Sequence, residues 1–490
     1  MDKKIKEVLL NKNIWFFTAI TLIFFGMLIK MEFAADSYAT LTFSLRELIG
    51  QFAPLGRFVL VIAFGITKIL ELKSETTYLL SYILAIVCMS ISLYKLYNLI
   101  KPDVQSNIAK KIIPILIVLN AFSIELFLYI EKGIMVFAVL MCILAVCDIK
   151  KWLETKQKKY LITTFIFMLL ANFSYQGVVG IFVAISLVYI LKYSKNIKQF
   201  IVNNVVVALS YGIPAIIDYA LIKILYSSGR VSGSIILSES LQKIFTNTQG
   251  MITSTYGILP EYFLMTFIIL AILLLIYEII KQKIDIKNKV IDILKVVYII
   301  AGVIFATVAP QLMQNTDSIW FVARSTYTYA ALFGILVLYM FMNYKINKEV
   351  KYITIILSIV LLVVQFYRFS VVETDRYKVN AIDYEITRKI VNQIDEYEKE
   401  TGNKITKLAV YGDESLEFTY SGRFATGDTN LKAYYKDWSI QYIIRYYSGR
   451  YLELVAPDSD MEEEFKQEDW TTFENEQIIF EGDTLNICRY

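Results

Sequence analysis

Long apolar runs separated by short basic loops recur along the first three quarters of the chain. Eleven of these runs have the low charge and the length that a membrane-crossing helix of roughly twenty residues needs. They predict eleven crossings, at 14–30, 77–94, 112–130, 133–148, 160–174, 176–191, 201–222, 261–280, 293–310, 325–343 and 352–368. The predicted fold class is therefore an all-α polytopic membrane protein.

The lysines between the runs are concentrated in alternate loops, at 3–12, 95–111, 150–159, 192–198, 281–295 and 345–351. Cytoplasmic loops carry the excess of positive charge in membrane proteins, so this alternation orients the chain. The amino terminus is predicted to be cytoplasmic. Because the number of crossings is odd, the carboxyl-terminal part is predicted to lie outside.

One apolar segment, Phe58 to Leu72, does not fit this alternation. Counting it as a crossing would put the basic loop 95–111 outside. We therefore predict that residues 41–72 form helices that lie on or dip into the outer leaflet, with an apolar stripe at near-helical spacing. The alternative is that Phe58 to Leu72 is an ordinary span and that one of the two short runs around Tyr175 is not.

Beyond Phe369 the composition becomes charged and polar, which predicts a soluble domain of about 120 residues. The predicted organisation is a transmembrane domain over 1–368 and an extracytoplasmic α/β domain over 369–490. The α/β domain is predicted to contain an amphipathic helix at 373–400, a strand at 407–412, a helix at 434–447 and a hairpin at 477–488.

Composition narrows the chemistry that this chain can perform. Its 490 residues are 56% hydrophobic, carry a net charge of +4 and include no histidine. Acid–base work therefore falls to Asp, Glu, Tyr or Lys, and histidine metal ligands are excluded. The basic residues lie in short loops where they orient the chain, so nucleic acid is not a predicted partner. The four cysteines have neither a metal-ligand nor a disulfide spacing.

The stretch after the first span carries the first candidate chemistry. Asp36 follows the apolar run 14–30 and is predicted at the membrane surface, where a carboxylate is suited to accept a proton from a hydroxyl. Arg57, about twenty residues later, is a permanent cation suited to bind phosphate. The pair favours sugar transfer from a lipid phosphate. The alternative is that Asp36 only ends a helix and that Arg57 extends to the headgroups.

Further candidate cavity residues lie at the predicted outer ends of later spans. Glu125 is predicted at membrane depth, which is a costly position for a carboxylate, and Glu131 and Lys132 follow at the outer turn. Tyr175 and Gln176 join two short runs. They are predicted either to line a water-filled outer cavity or to form a satisfied polar turn.

Two predicted outer loops complete the candidate set. The loop 227–260 is polar, contains several glycines and is long enough to be a lid or a binding loop. The loop 311–326 carries Trp320, which is either an interfacial anchor or a platform for a sugar ring. Near the outer end of another span, Asp218 and Lys223 are predicted to pair with each other.

Several local patterns occur in the order found in one known family: Ala35-Asp36-Ser37-Tyr38, Leu55-Gly56-Arg57-Phe58, Asn120-Ala121-Phe122-x-x-Glu125 with Tyr129, Ser174-Tyr175-Gln176, Ala323-Arg324, and a helix–strand–hairpin tail. The chain thereby resembles, over nearly its whole length, the Gtr-type (type II) serotype-converting glucosyltransferases of bacteria, within the wider GT-C architecture. The resemblance implies an enzyme of the cytoplasmic membrane that moves glucose from undecaprenyl-phosphate-glucose to a surface polysaccharide.

The same resemblance implies site roles. Asp36 would be the base on the acceptor hydroxyl, Arg57 and Arg324 would hold the donor phosphate, and Tyr38 would belong to the substrate cavity. The sequence departs from the family pattern at Ala35, at Ala121 and at the turn Glu131-Lys132. These departures leave a divalent metal, the role of Glu131 and the identity of the hexose open. The competing interpretations are a surface-polysaccharide polymerase or ligase, and a transporter or flippase for a lipid-linked sugar.

Overall fold

The computed structural model describes residues 11–226, 236–412, 433–467 and 474–489. The chain divides into two compact units. The first unit comprises Met1–Ile29, Leu45–Phe127 and Glu131–Phe369, and the second comprises Lys30–Ser44, Leu128–Ile130 and Ser370–Tyr490. The two short segments that join the carboxyl-terminal part in the second unit have no counterpart in the domain division predicted from the sequence.

The described part of the first unit is built from helices. These are Lys12–Phe25, Leu45–Phe52, Phe58–Ile69, Ser74–Ile100, Asn107–Val118, Ser123–Phe127, Lys132–Thr155, Lys159–Ser174, Gly180–Tyr193, Ile197–Leu225, Leu237–Ser254, Phe263–Lys281, Ile286–Val308, Tyr327–Ala330, Leu332–Asn343 and the first part of Lys348–Thr401. Eight helical segments of the described chain are long and apolar enough to cross a membrane. The fold class is accordingly a helical membrane protein with a small carboxyl-terminal sheet.

Three further apolar helices are shorter, namely Phe58–Ile69, Lys159–Ser174 and Leu332–Asn343. The 12 residues of Phe58–Ile69 give a helix of about 18 Å, well short of the roughly 30 Å hydrocarbon core. This helix is too short to cross a bilayer by itself. Helix Leu332–Asn343, inside the predicted span 325–343, has the same 12 residues, so the length does not distinguish an outer-leaflet helix from part of a crossing. The outer-leaflet position of 41–72 stays a prediction.

The predicted span 112–130 is not one continuous helix. Helix Asn107–Val118 ends, and the short helix Ser123–Phe127 follows after a break. Asn120 stabilises the break, because its Oδ1 accepts a hydrogen bond from the Phe122 backbone N–H at 3.0 Å and its Nδ2 donates to the Ile117 carbonyl at 3.0 Å. An Asn side chain that bonds nearby backbone groups competes with the helical hydrogen bonds.

The predicted outer loop 227–260 also differs from expectation. Residues 227–235 lie outside the described residues, and most of the remainder forms the 18-residue helix Leu237–Ser254. Helix formation satisfies the backbone polar groups that an irregular segment of this length would leave to water. A helical segment can also act as a lid or bind a ligand, so that part of the prediction stays a prediction.

Helix Lys132–Thr155 lies at the centre of the first unit. It packs against Ser74–Ile100, Lys159–Ser174 and Gly180–Tyr193. At its amino-terminal end Gly133 permits a close approach, because a Cβ there would lie 2.8 Å from the Ser81 carbonyl oxygen. Small residues at such contacts let helix backbones approach closely in membrane proteins.

The second unit combines the end of the 54-residue helix Lys348–Thr401 with a four-stranded sheet. The strands are β1 (Lys407–Tyr411), β2 (Glu453–Val455), β3 (Ile478–Glu481) and β4 (Thr484–Cys488), in the order β2-β1-β4-β3. β1 is parallel to β2 and to β4, and β3 is antiparallel to β4. The other α-helices in the described part of this unit are Ala35–Thr42, Asp437–Ser448 and Ser459–Lys466.

The sequence predicted most of these carboxyl-terminal elements. The strand at 407–412 and the hairpin at 477–488 are confirmed, and Gly482 has the positive φ of 60° that the hairpin turn needs. The long helix ends as predicted, with Gly402 at φ 74°. Strand β2 was not predicted, because three residues are too few to show an alternating pattern.

Candidate functional site

A cavity of about 450 Å³ lies in the first unit. Arg57, Gln176 and Asp218 contribute charged or polar side chains to its lining. Its walls are otherwise largely apolar, with contributions from Ile216, Ile222, Phe305, Leu312 and Met313. An apolar cavity with a few convergent polar groups is the usual form of a small-molecule site.

A tight turn brings Arg57 to the cavity. The 3₁₀ turn Ala53–Leu55 ends at Gly56, whose φ is 75° and whose N–H donates to the Ala53 carbonyl at 2.9 Å. A Cβ on Gly56 would lie 2.5 Å from the Asp218 Oδ1 and 2.7 Å from the Gln176 Nε2. Glycine is therefore required here twice, for its backbone conformation and for the space that its neighbours occupy.

Gln176 links this turn to the helix Ile197–Leu225. Its Nε2 donates to the Leu55 carbonyl at 2.9 Å and to the Asp218 Oδ2 at 2.8 Å. Asp218 is only 4% exposed. The second carboxylate oxygen of Asp218, Oδ1, has no hydrogen-bond partner among the described residues. We call this arrangement of Leu55, Gln176 and Asp218 the Gln176 bridge.

The predicted pairing of Asp218 with Lys223 is wrong. Asp218 is bound by Gln176, whereas the Lys223 Nζ lies 5.7 Å from the centre of the Tyr219 ring. The physical reason is helical geometry, because residues three or four positions apart share a helix face and residues five apart do not.

Arg57 is held by aromatic rings. Its guanidinium carbon lies 4.9 Å from the centre of the Tyr175 ring and 6.0 Å from that of Phe52. Within the described ranges, no carboxylate forms an ion pair with Arg57, and its buried Nε has no hydrogen-bond partner there. A cation stacked on aromatic rings at the wall of an apolar cavity can bind an anion.

Arg324 has a different environment. Its backbone N–H and its Nη1 both donate at 2.5 Å to the two carboxylate oxygens of Glu125. Glu125 is 1% exposed, and Arg324 is partly buried. The Glu125 carboxylate can therefore be buried in this helix, because a buried charge is tolerated when it is paired and hydrogen-bonded.

The turn Tyr175-Gln176-Gly177 contacts both Arg57 and Arg324. A Cβ on Gly177 would lie 2.6 Å from the Arg324 carbonyl oxygen and 2.7 Å from the Tyr175 ring. The ring that stacks on Arg57 therefore belongs to a turn packed tightly against Arg324. Arg324 itself does not line the cavity.

Glu131 and Lys132 were predicted as cavity residues and are buried at the start of helix Lys132–Thr155. The Lys132 Nζ lies 3.9 Å from the centre of the Tyr78 ring. Neither residue lines the cavity. Trp320 is 50% exposed and lies apart from the cavity lining, so both interpretations of Trp320 remain predictions.

Asp36 and Tyr38 belong to the second unit. Asp36 lies in the first turn of helix Ala35–Thr42, where the helix dipole favours a negative charge. Asp36 is exposed, whereas Tyr38 is completely buried. Burial raises the pKa of Tyr38 well above its ordinary value, and the Asp383 carboxylate adds to this increase. That Asp36 and Arg57 serve one reaction stays a prediction.

Metal use stays open as well. In the portion of the chain that the structure covers, no group of three Cys, Asp or Glu side chains is placed to hold a metal ion. Comparison of the chain with protein-family models, with curated proteins and with solved structures found no match.

Sequence reasoning missed Asp218 as a cavity residue. The available signal was a carboxylate within an apolar helix, which usually has a function or a buried partner. Because Lys223 is close in sequence, we predicted a simple ion pair between Lys223 and Asp218 instead. The bridging role of Gln176 depends on a contact between residues 42 positions apart, which a local pattern does not show.

Proposed function

We propose that this protein is a membrane glycosyltransferase that moves a hexose from a polyprenyl-phosphate donor to a cell-surface polysaccharide or glycan. The observation that carries the proposal is the cavity in which apolar walls meet Arg57. A polyprenyl phosphate has a long apolar chain and an anionic head, so it needs both of these surfaces. The likeness of the ordered motifs to Gtr-type enzymes supports the same reaction class.

The reaction we propose is a displacement at the anomeric carbon of the hexose. The acceptor hydroxyl oxygen forms a bond to that carbon while the bond to the phosphate oxygen breaks. The lipid phosphate leaves with the electron pair, and Asp36 accepts the proton of the acceptor hydroxyl. Arg57 stabilises the charge that develops on the departing phosphate.

We assign the donor phosphate first to Arg57. Its charge is met by aromatic rings, whereas the charge of Arg324 is met by Glu125. An anion therefore gains more at Arg57, since it does not compete with a buried carboxylate. In this proposal Arg324 supports the site by fixing the turn on which Tyr175 lies, and the Gln176 bridge fixes the turn that carries Arg57.

The finer architecture is part of the proposal. It comprises a GT-C-like arrangement of about eleven crossings, outer-leaflet helices at 41–72 and a carboxyl-terminal domain on the outer face of a bacterial cytoplasmic membrane. The alternating basic loops support it. Glucose and undecaprenyl are the sugar and the lipid that the family resemblance implies.

The test is to incubate purified protein with an undecaprenyl-phosphate hexose labelled in the sugar and with a purified bacterial surface polysaccharide as the acceptor, and to follow loss of the labelled donor. Wild-type protein should consume the donor, and Arg57→Ala should raise the donor KM. Arg46→Ala is the matched control, because Arg46 is an exposed arginine on the neighbouring helix Leu45–Phe52. Binding of the donor without any consumption would contradict the proposal and favour a transporter. Consumption that is equal in the two variants would remove Arg57 from the site.

A further inference from the structure

We propose that the carboxyl-terminal segment 370–490 positions the helix Ala35–Thr42 and thereby orients Asp36. This inference rests on the proposed function, in which Asp36 is the base. It assigns the second unit a part in the reaction, instead of the role of an appended domain. All the contacts that carry it lie within the second unit.

The first contact fixes the backbone just before helix Ala35–Thr42, which we call the Asp36 helix. The Asn380 Oδ1 accepts a hydrogen bond from the Phe33 backbone N–H at 2.7 Å, and the Asn380 Nδ2 donates to the Phe33 carbonyl at 3.0 Å. One side chain therefore satisfies both backbone groups of Phe33, two residues before the helix begins at Ala35. A two-point hydrogen bond restricts both the position and the rotation of the peptide.

The second contact is an aromatic clamp from helix Asp437–Ser448. The Tyr446 ring lies 5.3 Å from Phe33 and 5.4 Å from Tyr38, centre to centre, and Tyr442 lies 5.3 Å from Phe43. All three pairs meet edge to face, the arrangement that aromatic quadrupoles favour. The clamp thus contacts the Asp36 helix before its first residue, within it and after its last.

The third contact joins the helix to the segment Leu128–Ile130. The Ser37 Oγ accepts a hydrogen bond from the Ile130 backbone N–H at 3.1 Å. Arg376 is buried and interacts electrostatically with Tyr38, Tyr129 and Asp383. The short segment Leu128–Ile130 is therefore part of the same cluster.

These contacts leave one side chain accessible. Between residues 32 and 41, every residue except Ala35 and Asp36 is buried, and Asp36 is the only exposed one. A helix of 8 residues is too short to be stable alone in water. Packing by the described residues of segment 370–490 and by Leu128–Ile130 therefore holds it, and Asp36, the exposed residue of this helix, is the one assigned to proton transfer.

A purely structural role would lower stability without a specific effect on turnover. The test compares Asn380→Ala and Tyr442→Ala with Asn392→Ala, which makes the same amide deletion at an exposed position of the same long helix. Hydrogen exchange of peptides over 33–43 reports the order of the Asp36 helix. Donor consumption at saturating donor and acceptor gives kcat, and titration of the donor gives KM.

We expect faster exchange over 33–43 in Asn380→Ala and Tyr442→Ala, with kcat lowered roughly tenfold to a hundredfold and the donor KM within about twofold of wild type. Asn392→Ala should behave as wild type. Tyr446→Ala should lower kcat in the same way, because the clamp contacts the ring.

Folded Asn380→Ala or Tyr442→Ala protein with wild-type kcat would overturn the inference and leave the proposed function standing. An equal fall in kcat for Asn392→Ala would also overturn it. Loss of donor affinity without loss of kcat would assign these residues to donor binding and so contradict a role in orienting Asp36. Failure of the wild type to consume donor would instead overturn the proposed function, and the catalytic part of this inference with it.

Discussion

Replacing Gly56 by alanine tests the construction of the donor site. The residue has φ 75°, and a Cβ would lie between 2.5 and 2.7 Å from the Asp218 carboxylate oxygens and the Gln176 amide nitrogen. The left-handed backbone costs a non-glycine residue about 1 to 2 kcal/mol. Overpacking adds about 1 to 3 kcal/mol. Gly56→Ala should therefore lose about 2 to 5 kcal/mol locally and displace the Gln176 bridge.

Gly402→Ala supplies the matched control for this substitution. Gly402 has nearly the same φ, 74°, but nothing lies within 4 Å of its Cβ position. The two variants share the backbone strain, so the difference between them isolates the clash at the cavity.

The assay is the donor KM in the donor-consumption reaction, together with thermal unfolding in detergent. Gly56→Ala should raise the donor KM roughly tenfold or more, since displacement by about 1 Å can cost a hundredfold. Gly402→Ala should leave the KM unchanged. Equal donor KM values for the two variants would refute the idea that this turn positions Arg57.

Three further predictions concern single carboxylates. Asp36→Asn should leave the protein stable but slow transfer by about 10²-fold to 10⁴-fold, because only the base is lost, and a fully active variant would exclude Asp36 from the mechanism. Glu125→Gln should lower the free energy of unfolding by about 2 to 3 kcal/mol, because the partly buried Arg324 loses its counter-charge, and an unchanged melting temperature would contradict this. The Lys407 ammonium, which lies 3.1 Å from Asp483 and hydrogen-bonds to it, lowers the pKa of the Asp483 carboxyl. Since the folded pKa of Asp483 is the lower one, its contribution to stability is present above the unfolded pKa of roughly 3.9 and is lost as the pH falls through the folded pKa. Titration of Asp483 by NMR should show a higher pKa in Lys407→Gln, and an equal pKa in both proteins would refute the pairing.

Much of the helical architecture follows from local sequence. The predicted run 160–174 corresponds to helix Lys159–Ser174, because an apolar stretch without charges has few other structures in a bilayer. The break after Val118 is different in kind. It depends on one Asn side chain that bonds the backbone, and an average over a window of apolar residues does not register it.

The candidate site was only partly predictable. The motifs drew attention to Glu125, Arg324 and Gln176, yet each has a partner far away in the chain, and Glu125 and Arg324 are 199 positions apart. A single sequence does not show that residues so far apart in the chain are close in space. The local signals gave residue types suited to phosphate and proton chemistry, and only the tertiary packing separated the carboxylate-paired Arg324 from the ring-stacked Arg57.

The joining of segments 30–44 and 128–130 to the carboxyl-terminal unit was equally inaccessible to sequence reasoning. The Asp36 helix follows a membrane span directly, so its sequence position indicates a membrane-surface role. Its core partners, Asn380 and Tyr446, lie more than 300 positions later. Aromatic residues are frequent throughout this chain, at 14%, so their presence in the tail gave no specific signal.

The central claim is that Arg57 binds the phosphate of a polyprenyl donor in the cavity of the first unit. The most direct measurement is the equilibrium binding of undecaprenyl phosphate to wild type, Arg57→Ala and Arg46→Ala in the same detergent. We expect binding by the wild type and by Arg46→Ala, with affinity about tenfold to a hundredfold weaker in Arg57→Ala. Equal affinity in all three proteins, or no binding by the wild type, would contradict it.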